Sequence, residues 1–250
     1  MSPIAIAGSV VACAFGGALL GALIRTTLPD HHLSAESKDV MKLAMGLIAT
    51  MSALVLGLLI ASAKSSYDAQ NGELKQAATH IILLDRVLAH YGPEAKEVRA
   101  LLRRSVASAI DRAWPEKGSP PARLEPTGAV EALYDAIQAL SPRNEVQSSF
   151  RSQALGMTLD VARTRLLLFE QQGGSIPMPF LVVLICWIAI LFTSFGLFAS
   201  PNVSVMAILF VSALSVSAAI FLILELDQPF EGFVQISSAP LREALARLGQ

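Results

Sequence analysis

The chain has 250 residues, of which 53% are hydrophobic and only 16% charged, against about 25% charged in soluble domains. Lipid solvates so apolar a surface and water does not, so the composition points to an integral membrane protein. A formal net charge of −1 gives no basic footprint for nucleic acid, and the two cysteines, Cys13 and Cys186, lie inside apolar runs with no CxxC spacing or Cys/His cluster.

A bilayer core is about 30 Å thick, so a helix needs roughly 20 apolar residues to cross it. Four stretches qualify. The first runs from about Pro3 to Ile24 without a charge. Its N-terminal flank, Met1-Ser2-Pro3, lacks Lys and Arg, and the apolar run is longer than a signal-peptide core, so a retained helix is expected. Small residues recur along it every four positions, Ala5, Ser9, Cys13, Gly17 and Gly21, ending in a GxxxG. The second span, about Leu43 to Ala63, repeats the pattern with Ala49, Ala53, Gly57, Ala61 and Ser65. Such ridges let helix backbones approach closely, and packing then replaces the hydrophobic drive that lipid removes. Thr50 belongs with this ridge, while Ser52 points elsewhere.

The segment that follows, 64–178, reads as helical with little β signal. Leu74, Ala78, Ile81, Leu84 and Leu88 carry a helical period, and only Gly72 interrupts the run from the second span. One long helix leaving the membrane is therefore expected, stopped by Gly92-Pro93. A second helix should run from Pro93 to about Ala113, with Val98, Leu101, Leu102, Ser105 and Ala109 on one face and Arg99, Arg103 and Arg104 on a solvated one. Residues 114–126 hold five Pro or Gly and should form a loop. Thr127 is positioned to cap a third helix reaching Leu140, with Val130, Leu133, Tyr134 and Ile137 on its face. Ser141-Pro142 breaks it, and a fourth helix runs from Asn144 to Gln172, ended by Gly173-Gly174.

The third span, about Pro179 to Ala199, and the fourth, about Val203 to Leu224, are joined by the short hairpin 200–202. They carry bulky aromatics such as Trp187, Phe192, Phe195 and Phe210, which suit lipid contact. This contrast places spans one and two inside and spans three and four outside. After the fourth span come Glu225, Asp227, Pro229 and Gly232, a charged and turn-forming juxtamembrane group. It leads into an interfacial clamp carrying Phe230 and Phe233 and a closing helix from Pro240 to Leu248. Lys64 at the end of span two lies at the depth of Glu225 and Asp227, where it either pairs with them or each charge snorkels independently into water.

With four spans, both termini and the central segment share one side. Of nineteen Lys and Arg, only Arg25, Lys38 and Lys42 fall in the opposite loop, which puts the central segment and both termini in the cytoplasm of a multi-pass inner-membrane protein. The expected fold is all-α, with four transmembrane helices and a cytosolic helical domain inserted between the second and third. Its parts are 1–63, two spans with a short external loop; 64–178, the helical domain; 179–224, the last two spans; and 225–250, the juxtamembrane tail.

Enzyme motifs are missing: no GxSxG, HExxH, Walker loop or GxGxxG occurs. Asp30, His31 and His32 are consecutive and do not readily converge on one metal, His80 and His90 share a helix without a thiol or carboxylate cluster, and no span has a central charge for a proton relay. Neither catalysis nor a cofactor or metal is expected.

The stretch Gly57 through Asp68, Gly-Leu-Leu-Ile-Ala-Ser-Ala-Lys-Ser-Ser-Tyr-Asp, ends a span and opens a helix. The stretch Leu226 through Leu241, Leu-Asp-Gln-Pro-Phe-Glu-Gly-Phe-Val-Gln-Ile-Ser-Ser-Ala-Pro-Leu, follows the last span. With the two-plus-two span layout they resemble the bacterial bestrophin-like family over nearly the whole chain. The resemblance implies kinship with bestrophins, pentameric anion channels with four spans per subunit and a cytosolic helical domain. It implies a homo-oligomer in a lipid bilayer that passes inorganic ions, anions or without selectivity, and no nucleic-acid partner. One four-span chain is too small to enclose a pore, so the second span is the candidate lining. Ala49, Thr50, Ala53, Gly57, Ala61, Ser62 and Lys64 are its lining candidates, and Leu54, Leu56 and Leu58 are candidates for a hydrophobic gate. The alternative is a non-conducting membrane scaffold or sensor that uses the helical domain as a docking surface.

Overall fold

Every regular element among the described residues is helical. The computed structural model describes residues 2–27, 35–115, 128–171, 176–199, 202–230 and 232–250, and the helices in order are α1 (Pro3–Thr27), α2 (Ala35–Tyr91), a 3₁₀ turn (Pro93–Ala95), α3 (Lys96–Ala113), α4 (Ala129–Gln138), α5 (Glu145–Glu170), α6 (Met178–Phe198), α7 (Val203–Leu226) and α8 (Ala239–Arg247). Four of them, α1, α2, α6 and α7, are long and apolar enough to cross a membrane. The chain divides into two compact units, 1–66 with 174–227, and 67–173 with 228–250.

In the first unit α1 packs against both α6 and α7. Val10, Ala14 and Ala18 of α1 share a core with Leu184, Ile188 and Phe192 of α6 and with Ala213 and Ile220 of α7. The GxxxG of α1 works here. A Cβ on Gly17 would stand 2.9 Å from the Ala189 carbonyl oxygen, and one on Gly21 would meet the Thr193 carbonyl oxygen and, at 2.8 Å, the Leu197 nitrogen. Gly196 of α6 returns the contact, its missing Cβ facing the Ala18 carbonyl. Backbone lies directly on backbone, as small-residue ridges in lipid permit. Ser217 adds an interhelical bond, its hydroxyl donating to the Ala7 carbonyl at 2.7 Å, and Phe15 meets Phe210 edge to face at 5.2 Å.

The division into inner and outer spans expected from side-chain size does not hold within one chain. The bulky α6 and α7 supply most of the core, their Leu181, Leu184, Ile188, Phe192 and Ile220 clustering with Ile6, Val10, Ala14 and Ala18 of α1. It is α2 that stays uncovered: 11% of its apolar window is buried, against 33% in each of the other three. Leu59, Ala63 and Ser52 form its buried side.

In the second unit α2 continues unbroken past Gly72, as the hydrophobic period requires, and ends at Tyr91. Gly92 has φ of 124°, a conformation that side chains resist, and this glycine turns the chain into α3. The core joins Leu74, Leu84 and Leu88 of α2 to Leu102, Val106 and Ile110 of α3, and to Leu133 and Ile137 of α4. Helix α4 starts at Ala129 with Gly128 as its N-cap, so the cap expected at Thr127 lies outside the described residues. Helix α5 has a side-chain cap: Asn144 Oδ1 accepts the Gln147 N–H at 2.8 Å. Gln147 in turn donates its amide to the Tyr91 carbonyl at 2.9 Å, tying the start of α5 to the end of α2. The chain after Gln228 packs into this unit. The Trp114 indole donates to the Ile236 carbonyl at 2.8 Å, and Phe230 meets Trp114 edge to face at 5.8 Å. Phe233 is exposed.

Candidate functional site

At about 100° per residue, Ala49, Thr50, Ala53, Gly57, Ala61 and Lys64 share one side of α2. All six are exposed, as is Ser62, which sits farther round the helix. Nothing lies within 4 Å of a Cβ built on Gly57. Among the described residues the ridge at Gly57 therefore meets no partner face, in contrast to Gly17 and Gly21 of α1. The Thr50 hydroxyl donates to the Gly46 carbonyl one turn back at 2.8 Å, which satisfies its proton and leaves oxygen lone pairs facing outward.

The three gate candidates separate. Leu54 and Leu58 are 69% and 64% exposed and adjoin the small-residue ridge. Leu56 is half-buried and packs on the chain's own apolar core. Ser52 is buried on the same inner side. The juxtamembrane group separates too. Lys64, Glu225 and Asp227 belong to the first unit, where Glu225 is buried and each of the three is engaged in an interaction. Pro229 and Gly232 belong to the second, with Pro229 buried and Gly232 at φ of 84°.

The helical unit holds an ion pair that composition does not reveal. Asp85 of α2 is 1% exposed and accepts two hydrogen bonds from Arg99 of α3, both at 2.8 Å. It also accepts the Gly249 N–H at 3.2 Å. Arg86 and Arg99 each donate to the Gln250 carbonyl at 3.3 Å. Burial pushes the Asp85 carboxyl up, but the bonds from Arg99 and Gly249 and the charges of Arg99 and Arg86 outweigh it and hold the group below its ordinary value. Arg99 therefore does not share the solvated face on which Arg103 and Arg104 lie. The signal for this pair was present: an acidic residue at 85 falls beside Leu84 and Leu88 in the buried stripe, where only a paired charge is tolerable.

Among the described residues no group of three His, Cys, Asp or Glu converges. Asp30, His31 and His32 lie outside the described residues, as do Thr127 and the Gly173-Gly174 stop. Cys13 and Cys186 are both exposed free thiols.

Comparison with curated protein sequences finds no match. Solved structures that share the fold include two single-substitution variants of a bacterial bestrophin homologue from Klebsiella pneumoniae, one isoleucine to threonine and the other leucine to threonine. The first aligns with a TM-score of 0.68 at 12% identity, covering 96% of this chain and 97% of that one. The second aligns at 0.66 and 12%, covering 96% and 99%. The model of the bestrophin-like domain matches residues 12–241, and with nearly the whole sequence and all four apolar helices accounted for, the chain belongs to the bestrophin-like family.

Proposed function

We propose that several copies of this chain assemble around an axis lined by α2 and conduct inorganic ions across the inner membrane. The observation that carries this reading is the open side of α2. It is the least covered of the four apolar helices, and its uncovered side sets a stripe of small and hydroxyl-bearing residues beside the exposed Leu54 and Leu58. Ala49, Ala53, Gly57 and Ala61 would let neighbouring copies approach the axis, with Thr50 and Ser62 offering oxygens to a passing ion. Leu54 and Leu58 form the hydrophobic constriction, which blocks ions by dewetting without closing sterically. Lys64 stands at the cytoplasmic mouth, where a ring of ammonium groups raises local anion concentration within a Debye length of about 10 Å at 0.1 M salt. The helical domain and both termini lie on the cytoplasmic side, by the bias of Lys and Arg away from the 25–42 loop.

Planar-bilayer recordings of the purified chain test this. Leu58→Ser should raise leak current and Lys64→Glu should shift the anion-to-cation permeability ratio, while Leu56→Ser, on the inner side, should lower stability without opening the path. Silence of the reconstituted protein and of all these variants under voltage, pH and calcium steps would replace the conducting reading with that of a membrane scaffold.

A further inference from the structure

Within the helical unit, Glu73 of α2 and Gln171 at the end of α5 meet side chain to side chain. The Gln171 amide donates from Nε2 to Glu73 Oε1 at 3.1 Å. The other oxygen of each group, Glu73 Oε2 and Gln171 Oε1, is buried and accepts no hydrogen bond. An acceptor in that position carries its full desolvation penalty, and a carboxylate oxygen carries the larger one. Two such oxygens here belong to side chains already joined by one hydrogen bond, so a single small donor or cation between them would serve both.

The protein offers no cation of its own at this place. Among the described residues Glu73 takes part in no ion pair. The residues one turn away from it on α2 are Ala69, Gln70, Gln76 and Ala77, none of them positive. Gln171 is the C-cap of α5, and a helix C-terminus carries about half a negative charge along with carbonyls that lack intrahelical donors. The last turn of α5 has no basic residue to offset this, and the helix ends on Glu170. A buried carboxylate oxygen, an amide oxygen and the negative end of a 26-residue helix thus act in the same sense. The donors are hard oxygens, which suit alkali and alkaline-earth ions rather than soft metals. One carboxylate balances one positive charge, whereas calcium takes about six to eight oxygens and gains affinity from further carboxylates.

We propose that Glu73 Oε2 and Gln171 Oε1 bind an alkali-metal cation, with water completing its shell, and that the ion clamps α2 to the end of α5. The site lies in the helical unit alone, so it stands or falls independently of conduction. Thermal unfolding of the full chain in nanodiscs, followed by helical circular dichroism, tests it. Sodium chloride is exchanged for N-methyl-D-glucamine chloride at constant ionic strength, and potassium and calcium chlorides are titrated separately into the N-methyl-D-glucamine salt. The expected result is a saturable rise in Tm with sodium or potassium, the ion with the lower half-saturating concentration being the one the site prefers. Glu73→Gln, which keeps the shape and removes the charge, should abolish the rise. Gln171→Leu should move half-saturation up by about tenfold or more, the scale on which even outer-shell partners affect metal affinity. Equal Tm in all the salts would overturn the site, as would a sodium or potassium response that survives in Glu73→Gln. A calcium response at lower concentration than either alkali ion, lost in Glu73→Gln, would overturn the alkali assignment. Should Glu73→Gln fail to fold, Gln171→Leu and the comparison of salts on the unsubstituted chain still decide.

Discussion

Replacing Gly21 by alanine adds one carbon to the seam between α1 and α6, where the backbone leaves no room for it. The new Cβ would fall on the Thr193 carbonyl oxygen and lie 2.8 Å from the Leu197 nitrogen and 2.9 Å from the Thr193 carbonyl carbon. All three are backbone atoms, so no rotamer change relieves the clash and the helices must separate. Overpacking of this kind costs about 1–3 kcal/mol. Separation also loosens the neighbouring contacts of Gly17 and Gly196, so the upper part of that range is expected. A loss of about 2 kcal/mol lowers the folded-to-unfolded ratio roughly thirtyfold. Gly8→Ala, on the same helix, is the control, because its Cβ meets nothing within 4 Å. The remaining term there is the helix preference of alanine over glycine, about 0.5–1 kcal/mol in the stabilising direction. Denaturant titration of the detergent-solubilised chain, followed by Trp187 emission from α6, should shift the two midpoints in opposite directions. An unchanged midpoint for Gly21→Ala would refute the close-packed seam.

Gly57→Leu should leave the single chain folded while reducing oligomer size on light-scattering chromatography; an unchanged oligomer would mean that the open side of α2 is no interface. Asp85→Ala should lower stability by about 1.5–3 kcal/mol, the scale of hydrogen bonds to a charged group, and the doubly bonded Arg99 makes the upper end the expectation. The folded state holds the Asp85 proton less tightly than the unfolded state does. The stabilisation is therefore complete above the ordinary carboxylate range and fades as pH falls through it, a slope that Asp85→Asn should flatten. Trp114→Phe, which removes the bond to the Ile236 carbonyl together with the pyrrole half of the indole, should cost at least about 1 kcal/mol and raise hydrogen exchange in 228–238. A cysteine at Ser108, exposed on α3, in a chain with Cys13 and Cys186 changed to serine, should resist an impermeant thiol reagent added outside intact cells; labelling there would reverse the cytoplasmic placement of the helical domain.

Length and hydropathy were enough to locate the four apolar helices, because the requirement for about twenty uncharged residues is set by the bilayer and not by tertiary contacts. The same holds for the continuous α2 and its stop at Gly92. What one chain does with a small-residue ridge was not legible. Gly17 and Gly21 in α1, and Ala53, Gly57 and Ala61 in α2, have the same spacing, yet the first pair is pressed onto α6 and the second set faces outward. Spacing states that a backbone can approach; it does not name the backbone that does. That information resides in the complementary surface, and for α1 it is Gly196, flanked by Thr193 and Leu197, in a helix whose aromatics suggested an outer position. Phe192 illustrates the same ambiguity, since an aromatic in a span is equally suited to lipid and to the protein core, where it lies. The Asp85–Arg99 pair was hidden for a different reason: the two residues are fourteen apart on separate helices, so only the turn at Gly92 brings them together. The unpartnered ridge of α2 is thus informative because the partnered ridge of α1 exists beside it. One ridge seats α1 on α6, while the ridge at Gly57 has no cover among the described residues, and the Gly57→Leu oligomer measurement asks whether a second copy of the chain supplies it.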